Sequence, residues 1–364
     1  MSLEIGIVGL PNAGKSTLFN ALTKANAAVA KYPFTTIEPN VGVVAVPDDR
    51  LLAVAGVVKP ELITPATIKF VDIAGLVKGA HRGEGLGNRF LGHIRNVDAI
   101  AMVVRCFQAP DVPHPFPEID PIVDIEVLDT EMALADLETV ENRLAKVRSA
   151  AKAHPKEFKE TLELLESLHE HLAQGKRAVS WDGEEGQALV REMNLLTGKA
   201  RIFVANVSEE DLPEGGELAR KVQRKALEEG TEAVILCALL EEELARWPEE
   251  EAKAYLKELG LEEPGLVKLI KAGYKLLGLI TFFTATGQRE VRAWPVRYGT
   301  TAWEAAGKIH SDMQKGFIRA EVINWKDFVE AGSWAEARNR GLVRIEGRDY
   351  VIQDGDVIHI RFSP

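Results

Sequence analysis

The feature that most constrains this chain is the run Gly9-Leu10-Pro11-Asn12-Ala13-Gly14-Lys15-Ser16, a G-x-x-x-x-G-K-S phosphate loop. Before it, Leu3-Glu4-Ile5-Gly6-Ile7-Val8 is a short, mostly apolar segment that reads as a buried strand. After it, Leu18, Phe19 and Leu22 form a helical apolar stripe. The motif therefore stands between a strand and a helix, as its chemistry requires. Its glycines let backbone N–H groups wrap phosphates at a helix N-terminus, Lys15 adds a point charge at the β- and γ-phosphates, and the Ser16 hydroxyl suits Mg²⁺. The predicted cradle for a nucleoside triphosphate is Asn12, Ala13, Gly14, Lys15, Ser16 and Thr17.

A second motif, Asp72-Ile73-Ala74-Gly75, follows the apolar strand Ile68-Lys69-Phe70-Val71 and matches the D-x-x-G of a nucleotide switch. An Asp at the carboxyl end of a strand beside a phosphate loop can hold Mg²⁺ through water, and the Gly75 N–H can meet a γ-phosphate and register its loss. Thr35 and Thr36 lie between the two motifs as candidates for a further metal ligand, and chemistry alone does not choose between them. A phosphate-loop kinase has no need of such a switch.

Guanine-specific members of this fold carry N-K-x-D after a later strand, the Asp accepting from guanine N1–H and the 2-amino group. Here the strand Ala200-Arg201-Ile202-Phe203-Val204-Ala205 runs into Asn206-Val207-Ser208-Glu209. Val207 replaces the Lys and the longer Glu209 replaces the Asp. Badly paired polar groups cost orders of magnitude in discrimination, so guanine preference is expected to be weakened or lost. The same loop also reads as a turn capped by Ser208 with Asp211 three residues on.

Together these residues resemble the YchF-type Obg-like ATPases, over nearly the whole chain. The resemblance rests on Gly-Leu-Pro-Asn-Ala-Gly-Lys-Ser at 9–16, Tyr32-Pro33-Phe34-Thr35-Thr36-Ile37-Glu38-Pro39-Asn40, Asp72 to Ala80, Gly83-Glu84-Gly85-Leu86-Gly87-Asn88 and Asn206 to Glu209. Near the C-terminus, His310-Ser311-Asp312 and Lys315-Gly316-Phe317-Ile318-Arg319-Ala320 resemble that family's TGS domain. It implies that Thr36 is the switch threonine and that Asn206, Val207 and Glu209 surround adenine, with Asn206 the foremost polar contact. It also implies weak hydrolysis and ribosome association, at the large subunit and its rRNA, by a monomer that takes ATP over GTP.

Strands and helices alternate to about residue 125, which predicts an α/β, doubly wound sheet of the P-loop NTPase type. Ala133, Leu137, Val140, Leu144, Val147 and Ala151, then Phe158, Leu165, Leu168 and Leu172 beyond His154-Pro155, predict an inserted α-helical coiled-coil hairpin. The sheet resumes at Ala200 and ends at Glu232 to Ala238, whose following loop would approach the base with Leu239 in place of a Lys. From Leu279 the pattern turns β-rich: strands at Ile280 to Thr284 and Val291 to Val296, a helix near Thr301 to His310, a strand at Phe317 to Ile323 and a closing pair around Tyr350 to Phe362. That order suits a C-terminal β-grasp (TGS) domain, enriched in arginine. The expected domains are 1–125 with 197–278 for the nucleotide, 126–196 for the hairpin and 279–364 for the β-grasp. The hairpin reads as a partner-binding arm.

The 364 residues carry a net charge of −11, which argues against a generally polyanion-binding surface, so any RNA contact is local. Cys106 and Cys237, each in an apolar stretch, read as buried thiols rather than a disulfide or metal site. With no signal peptide and no apolar run near the ~20 residues of a membrane span, the expected location is the cytoplasm, without membrane contact.

Leu76 occupies the position where Ras-like enzymes place a water-orienting Gln, and leucine cannot hydrogen-bond to water. Hydrolysis must borrow another polar group. His81 and His114 are candidates, the resemblance favouring His114, with Gly75 as γ-phosphate sensor. Asn12 resembles the phosphate-loop Asn of K⁺-stimulated hydrolases, though a loop-stabilising Asn fits equally. The expected function is that of an ATP-preferring hydrolase acting as a switch on translation or stress response; an Obg-type GTPase and a ribosome- or RNA-binding scaffold with negligible turnover are the alternatives.

Overall fold

A computed structural model describes residues 3–27, 40–73, 86–181, 183–285 and 287–363. In chain order the elements are β1 (Glu4–Val8), α1 (Lys15–Ala27), β2 (Val41–Ala45), α2 (Asp49–Val58), β3 (Leu62–Thr64), β4 (Thr67–Asp72), α3 (Leu86–Asn96), β5 (Ala99–Cys106), α4 (Pro121–Ala151), α5 (Lys159–Ala173), α6 (Glu184–Glu192) and β6 (Ala200–Val207). There follow α7 (Gly216–Glu228), β7 (Ala233–Leu236), α8 (Ala238–Leu244), α9 (Glu249–Glu258), α10 (Gly265–Leu276), β8 (Leu279–Thr284), β9 (Glu290–Arg297), α11 (Ala302–Ile309), α12 (Ser311–Lys315), β10 (Phe317–Asn324), α13 (Trp325–Ala331), α14 (Trp334–Asn339), β11 (Arg344–Glu346) and β12 (Asp356–Phe362).

The chain divides into two units, Met1–Gly42 with Lys69–Ala272, and Val43–Ile68 with Gly273–Pro364. The expected nucleotide domain took in all of 1–125, whereas Val43–Ile68, carrying α2 and β3, groups with the C-terminal unit.

The first unit is built on a sheet of order β2-β4-β1-β5-β6-β7, in which β4, β1, β5, β6 and β7 run parallel to one another. Every residue of β5 is buried, as a parallel strand covered on both faces demands of an apolar run. Ile125, Leu128 and Met132 of α4 and Ala219, Val222 and Ala226 of α7 belong to the core cluster that includes Ile100, Met102, Phe203 and Ala205.

Helix α4 spans 31 residues, about 46 Å at 1.5 Å per residue. Its start is fixed by Asp120, which accepts from the Ile122 N–H at 3.1 Å, and by Pro121 in the first turn. Its first half belongs to the sheet core. Its second half forms the hairpin with α5, burying Val140, Leu144 and Val147 with Leu165, Leu168 and Leu172. The base of the hairpin is pinned by buried Asp136, which accepts from the Leu196 and Thr197 N–H groups, each at 2.8 Å, and from the Thr197 hydroxyl at 2.7 Å.

In the second unit the sheet order is β11-β10-β12-β8-β9-β3. The β8–β9 hairpin is antiparallel and β12 runs parallel to β8, the arrangement of a β-grasp, with Ala302, Ala305 and Ala306 of α11 in the core beside Phe282, Val322 and Ile358. Helix α11 opens with a capping box between Thr301 and Glu304. Arg50 of α2 bonds Asp354 at 2.7 Å and lies 5.6 Å from the centroid of the Phe283 ring, which accounts for the grouping of Val43–Ile68 here. The closing pair expected at 350–362 is instead one strand there, β12, paired with β10, whose other neighbour is β11.

Candidate nucleotide site

The phosphate loop joins β1 to α1 at the carboxyl end of the parallel sheet, where a doubly wound fold leaves room for ligands. Leu10 and Ala13 anchor it in the core, at 4% and 1% exposure. Asn12 and Gly14 have φ of +62° and +94°. A Cβ on Gly14 would overlap Asn206 Nδ2, so backbone conformation and space both dictate glycine there. Ser16 is exposed in the first turn of α1, with Thr17 half-buried behind it.

Lys15 is 7% exposed and its ammonium donates to the Leu10 carbonyl at 2.9 Å. Burial pushes its pKa down while the Asp72 carboxylate pulls it back up. Burial likewise pushes Asp72 up, against the pull of Lys15. Asp72 Oδ1 is buried with no hydrogen-bond partner among the described residues. An unpaired buried carboxylate oxygen facing the Lys15 charge, together with the exposed Ser16 hydroxyl in the first turn of α1, suits a hydrated Mg²⁺, which would offset phosphate charge there. Ser16 and Asp72 are the side chains that would hold it. Thr36, with Thr35, and Gly75, with Leu76 and His81, lie outside the described residues.

On the base side, Asn206 is 5% exposed at the end of β6. Its Nδ2 donates to the Ala13 carbonyl at 2.9 Å, and its Oδ1 accepts from the Ala238 N–H at 2.9 Å. The carboxamide expected to be the foremost contact to the base is thus largely spent tying the phosphate loop to α8. Val207 is 2% exposed within the sheet core, so its side chain faces away from solvent and only its backbone is available. Glu209 is half-buried, and the Tyr255 hydroxyl on α9 donates to its carboxylate. Ser208 bonds Asp211 at 2.6 Å, and Leu239 is exposed at the start of α8.

His114 lies in the loop between β5 and α4 with its side chain 7% exposed. Its Nε2 is 3.2 Å from Asp124 Oδ2, and its Nδ1 accepts from the Phe116 N–H at 3.2 Å. This loop touches the phosphate loop directly, since Asn12 Nδ2 donates to the Pro113 carbonyl at 3.0 Å. Tyr255 and this Asn12–Pro113 bond were invisible to motif reading, because each joins segments far apart in the chain.

Residues 4–149 match a family model described as a 50S ribosome-binding GTPase, and residues 279–363 match the C-terminal family of YchF-type GTPases, described as a protein of unknown function. The ribosome-binding ATPase YchF of Bacillus subtilis is 50% identical over 366 residues, covering 100% of both chains. The protein of the same name from Haemophilus influenzae is 51% identical over 365 residues, again covering 100% of both. The solved structure of the Schizosaccharomyces pombe YchF GTPase is 36% identical with a TM-score of 0.89, covering 99% of this chain and 98% of that one. Full-length identity of this size, with the same fold and a phosphate loop in place, means that the chain belongs to the YchF family of P-loop proteins.

Proposed function

We propose that this chain is a ribosome-binding ATPase that hydrolyses ATP slowly and uses the change of nucleotide as a switch on translation or stress response. The observation that carries the ATP preference is the base loop: Val207 is buried, and Glu209, held by Tyr255, stands where a guanine-selecting Asp would. The backbone of residues 12–17 and Lys15 hold the phosphates, Ser16, Thr36 and Asp72 serve Mg²⁺, and Gly75 senses the γ-phosphate. His114 is the polar group that acts on water in place of Leu76; it must first exchange its bond to Asp124. Asn12 gives its N–H to Pro113 and keeps Oδ1 for a K⁺ ion beside the phosphates.

Relatives named as ribosome-binding, and the 50S-binding family model over residues 4–149, support a ribosomal partner at the large subunit. Arg319, Arg344 and Arg348 are exposed on the C-terminal unit and suit rRNA phosphates. A monomer in the cytoplasm, with the α4–α5 hairpin as a second partner-binding arm, completes the reading. The test is steady-state hydrolysis of ATP and GTP by the full chain, with and without ribosomes. Faster ATP turnover with ribosomes is the expected result; turnover confined to GTP overturns the reading.

A further inference from the structure

Arg105 is the penultimate residue of β5 and is 1% exposed, a guanidinium buried at the ligand end of the sheet. A buried charge is costly unless its donors are satisfied. No carboxylate hydrogen-bonds it among the described residues. Its partners are four carbonyl oxygens of the loop that follows: Phe107 at 3.2 Å from Nε, Val112 and Pro113 at 3.0 and 3.3 Å from Nη1, and Ala109 at 3.3 Å from Nη2. Its guanidinium carbon also lies 4.6 Å from the centroid of the Phe107 ring.

The sequence explains why the loop needs such a partner. Pro110, Pro113, Pro115 and Pro117 contribute no N–H donors, so the loop can satisfy few of its inward carbonyls itself; of the four that Arg105 holds, Ala109 also accepts from the Val112 N–H at 3.1 Å. An arginine presents up to five N–H donors in a fixed plane, where a lysine offers three on a flexible stem. The Pro113 carbonyl that Arg105 holds also accepts from Asn12 of the phosphate loop, and the next residue is His114.

We propose that Arg105 is a positioning residue for hydrolysis: by templating the carbonyls of residues 107–113 it fixes the Pro113 oxygen that Asn12 engages and sets where His114 stands. It touches no substrate. Its effect reaches the phosphates through one loop and two hydrogen bonds, and it rests on the reading of His114 as the group that acts on water.

The experiment is a turnover and binding comparison of Arg105→Lys, His114→Ala and the double variant, in the full chain, with ATP dissociation constants measured separately and folding checked by thermal melting. Arg105→Lys is expected to lower turnover at least tenfold while ATP affinity stays within twofold, and to cause no further loss in the His114→Ala background. Unchanged turnover in folded Arg105→Lys overturns the proposal. So do losses that multiply in the double variant, which would mean that Arg105 acts independently of His114. Full turnover in His114→Ala would instead remove the histidine reading, and the proposal with it, so the two failures are told apart by the single variants. Should Arg105→Lys fail to fold, Asn12→Ala, at an exposed side chain, tests the same tie from its other end. Wild-type turnover there overturns the proposal.

Discussion

Asn206 Nδ2 lies 2.9 Å from the carbonyl oxygen of Ala13, 193 residues earlier in the chain, and the same carboxamide accepts the N–H of Ala238. One buried side chain therefore sets the distance between the phosphate loop, the end of β6 and the start of α8. Asn206→Ala leaves a carbonyl and an N–H unpaired in a buried site, a cost of roughly 1–3 kcal/mol for each group left without water. The expected outcome is a lower Tm and weakened binding of ATP and GTP by similar factors, read by titration with both nucleotides. A selective loss of ATP alone would mean that Asn206 reads the base rather than bracing the loops.

Lys15 presents the complementary case. Its ammonium is held inside the loop by the Leu10 carbonyl and faces the Asp72 carboxylate, so it is desolvated before any phosphate arrives. Lys15→Ala removes the fixed cation and leaves Asp72 without a countercharge. Triphosphate affinity should fall by roughly a hundredfold or more, about 2.7 kcal/mol. Binding at wild-type strength would refute the assignment of the phosphate loop.

In the function proposed above, base selection falls to Glu209 rather than to the whole N-x-x-E loop, since Asn206 and Val207 are buried in the fold. If the altered loop has lost guanine's double acceptor, ATP should bind at least ten times tighter than GTP, a difference of about 1.4 kcal/mol. Restoring a guanine-type loop by Val207→Lys would bury an ammonium at a site 2% exposed, which costs stability and confounds the measurement. Glu209→Asp alone avoids this. It shortens the carboxylate away from Tyr255 and should shift the ratio of dissociation constants toward GTP; a wild type that already prefers GTP would return the chain to the Obg-type GTPase reading.

The ribosomal contact is best tested in the intact chain. Truncation after Leu279 would strip α2, whose Val54 and Ala55 are 0% and 4% exposed, of the unit with which it groups. Arg319→Glu combined with Arg348→Glu changes only exposed side chains. Co-sedimentation with ribosomes should weaken at least threefold at low salt, where phosphate contacts weigh most, while ATP affinity is unchanged. Undiminished co-sedimentation would move the contact to the α4–α5 hairpin.

The parts of the fold that were legible in sequence are those with local causes. The phosphate loop shows itself because its glycines and Lys15 are contiguous, and the five parallel strands because each is an apolar run. The hairpin seam shows itself because Val140, Leu144, Leu165 and Leu168 keep a helical period. The grouping of Val43–Ile68 with the C-terminal unit was not legible, since it depends on partners such as Arg50 and Asp354, 304 residues apart. The same holds in the site. Asn206 was visible as a motif residue, but its bonds to Ala13 and Ala238 come from the way β6 and α8 meet, and the Arg105 template is recorded in no motif, only in a density of prolines downstream.

Glu241 on α8 offers a pH test that leaves the nucleotide site untouched. It is 4% exposed, its carboxylate accepts from the Gly265 and Leu266 N–H groups at the start of α10, and Lys268 stands near enough to favour its charged form. Burial outweighs these partners and pushes its pKa up to about 7 from an ordinary 4.5. The folded state then binds a proton more tightly than the unfolded chain. The stability this contributes is fully present below pH 4.5 and is lost as pH rises through 7, at most about 3 kcal/mol for a carboxyl this buried. Asp72, Asp124 and Asp136 are pushed up as well and slope the same way, so the wild-type curve alone does not isolate Glu241. The difference from Glu241→Gln does, because the amide oxygen can still accept from Gly265 without ever ionising. Urea unfolding at pH 5 and pH 8 should show wild type losing more stability across that interval than the variant. Equal losses in the two proteins would mean that Glu241 ionises in the folded state as it does in water, and that the start of α10 is open to solvent.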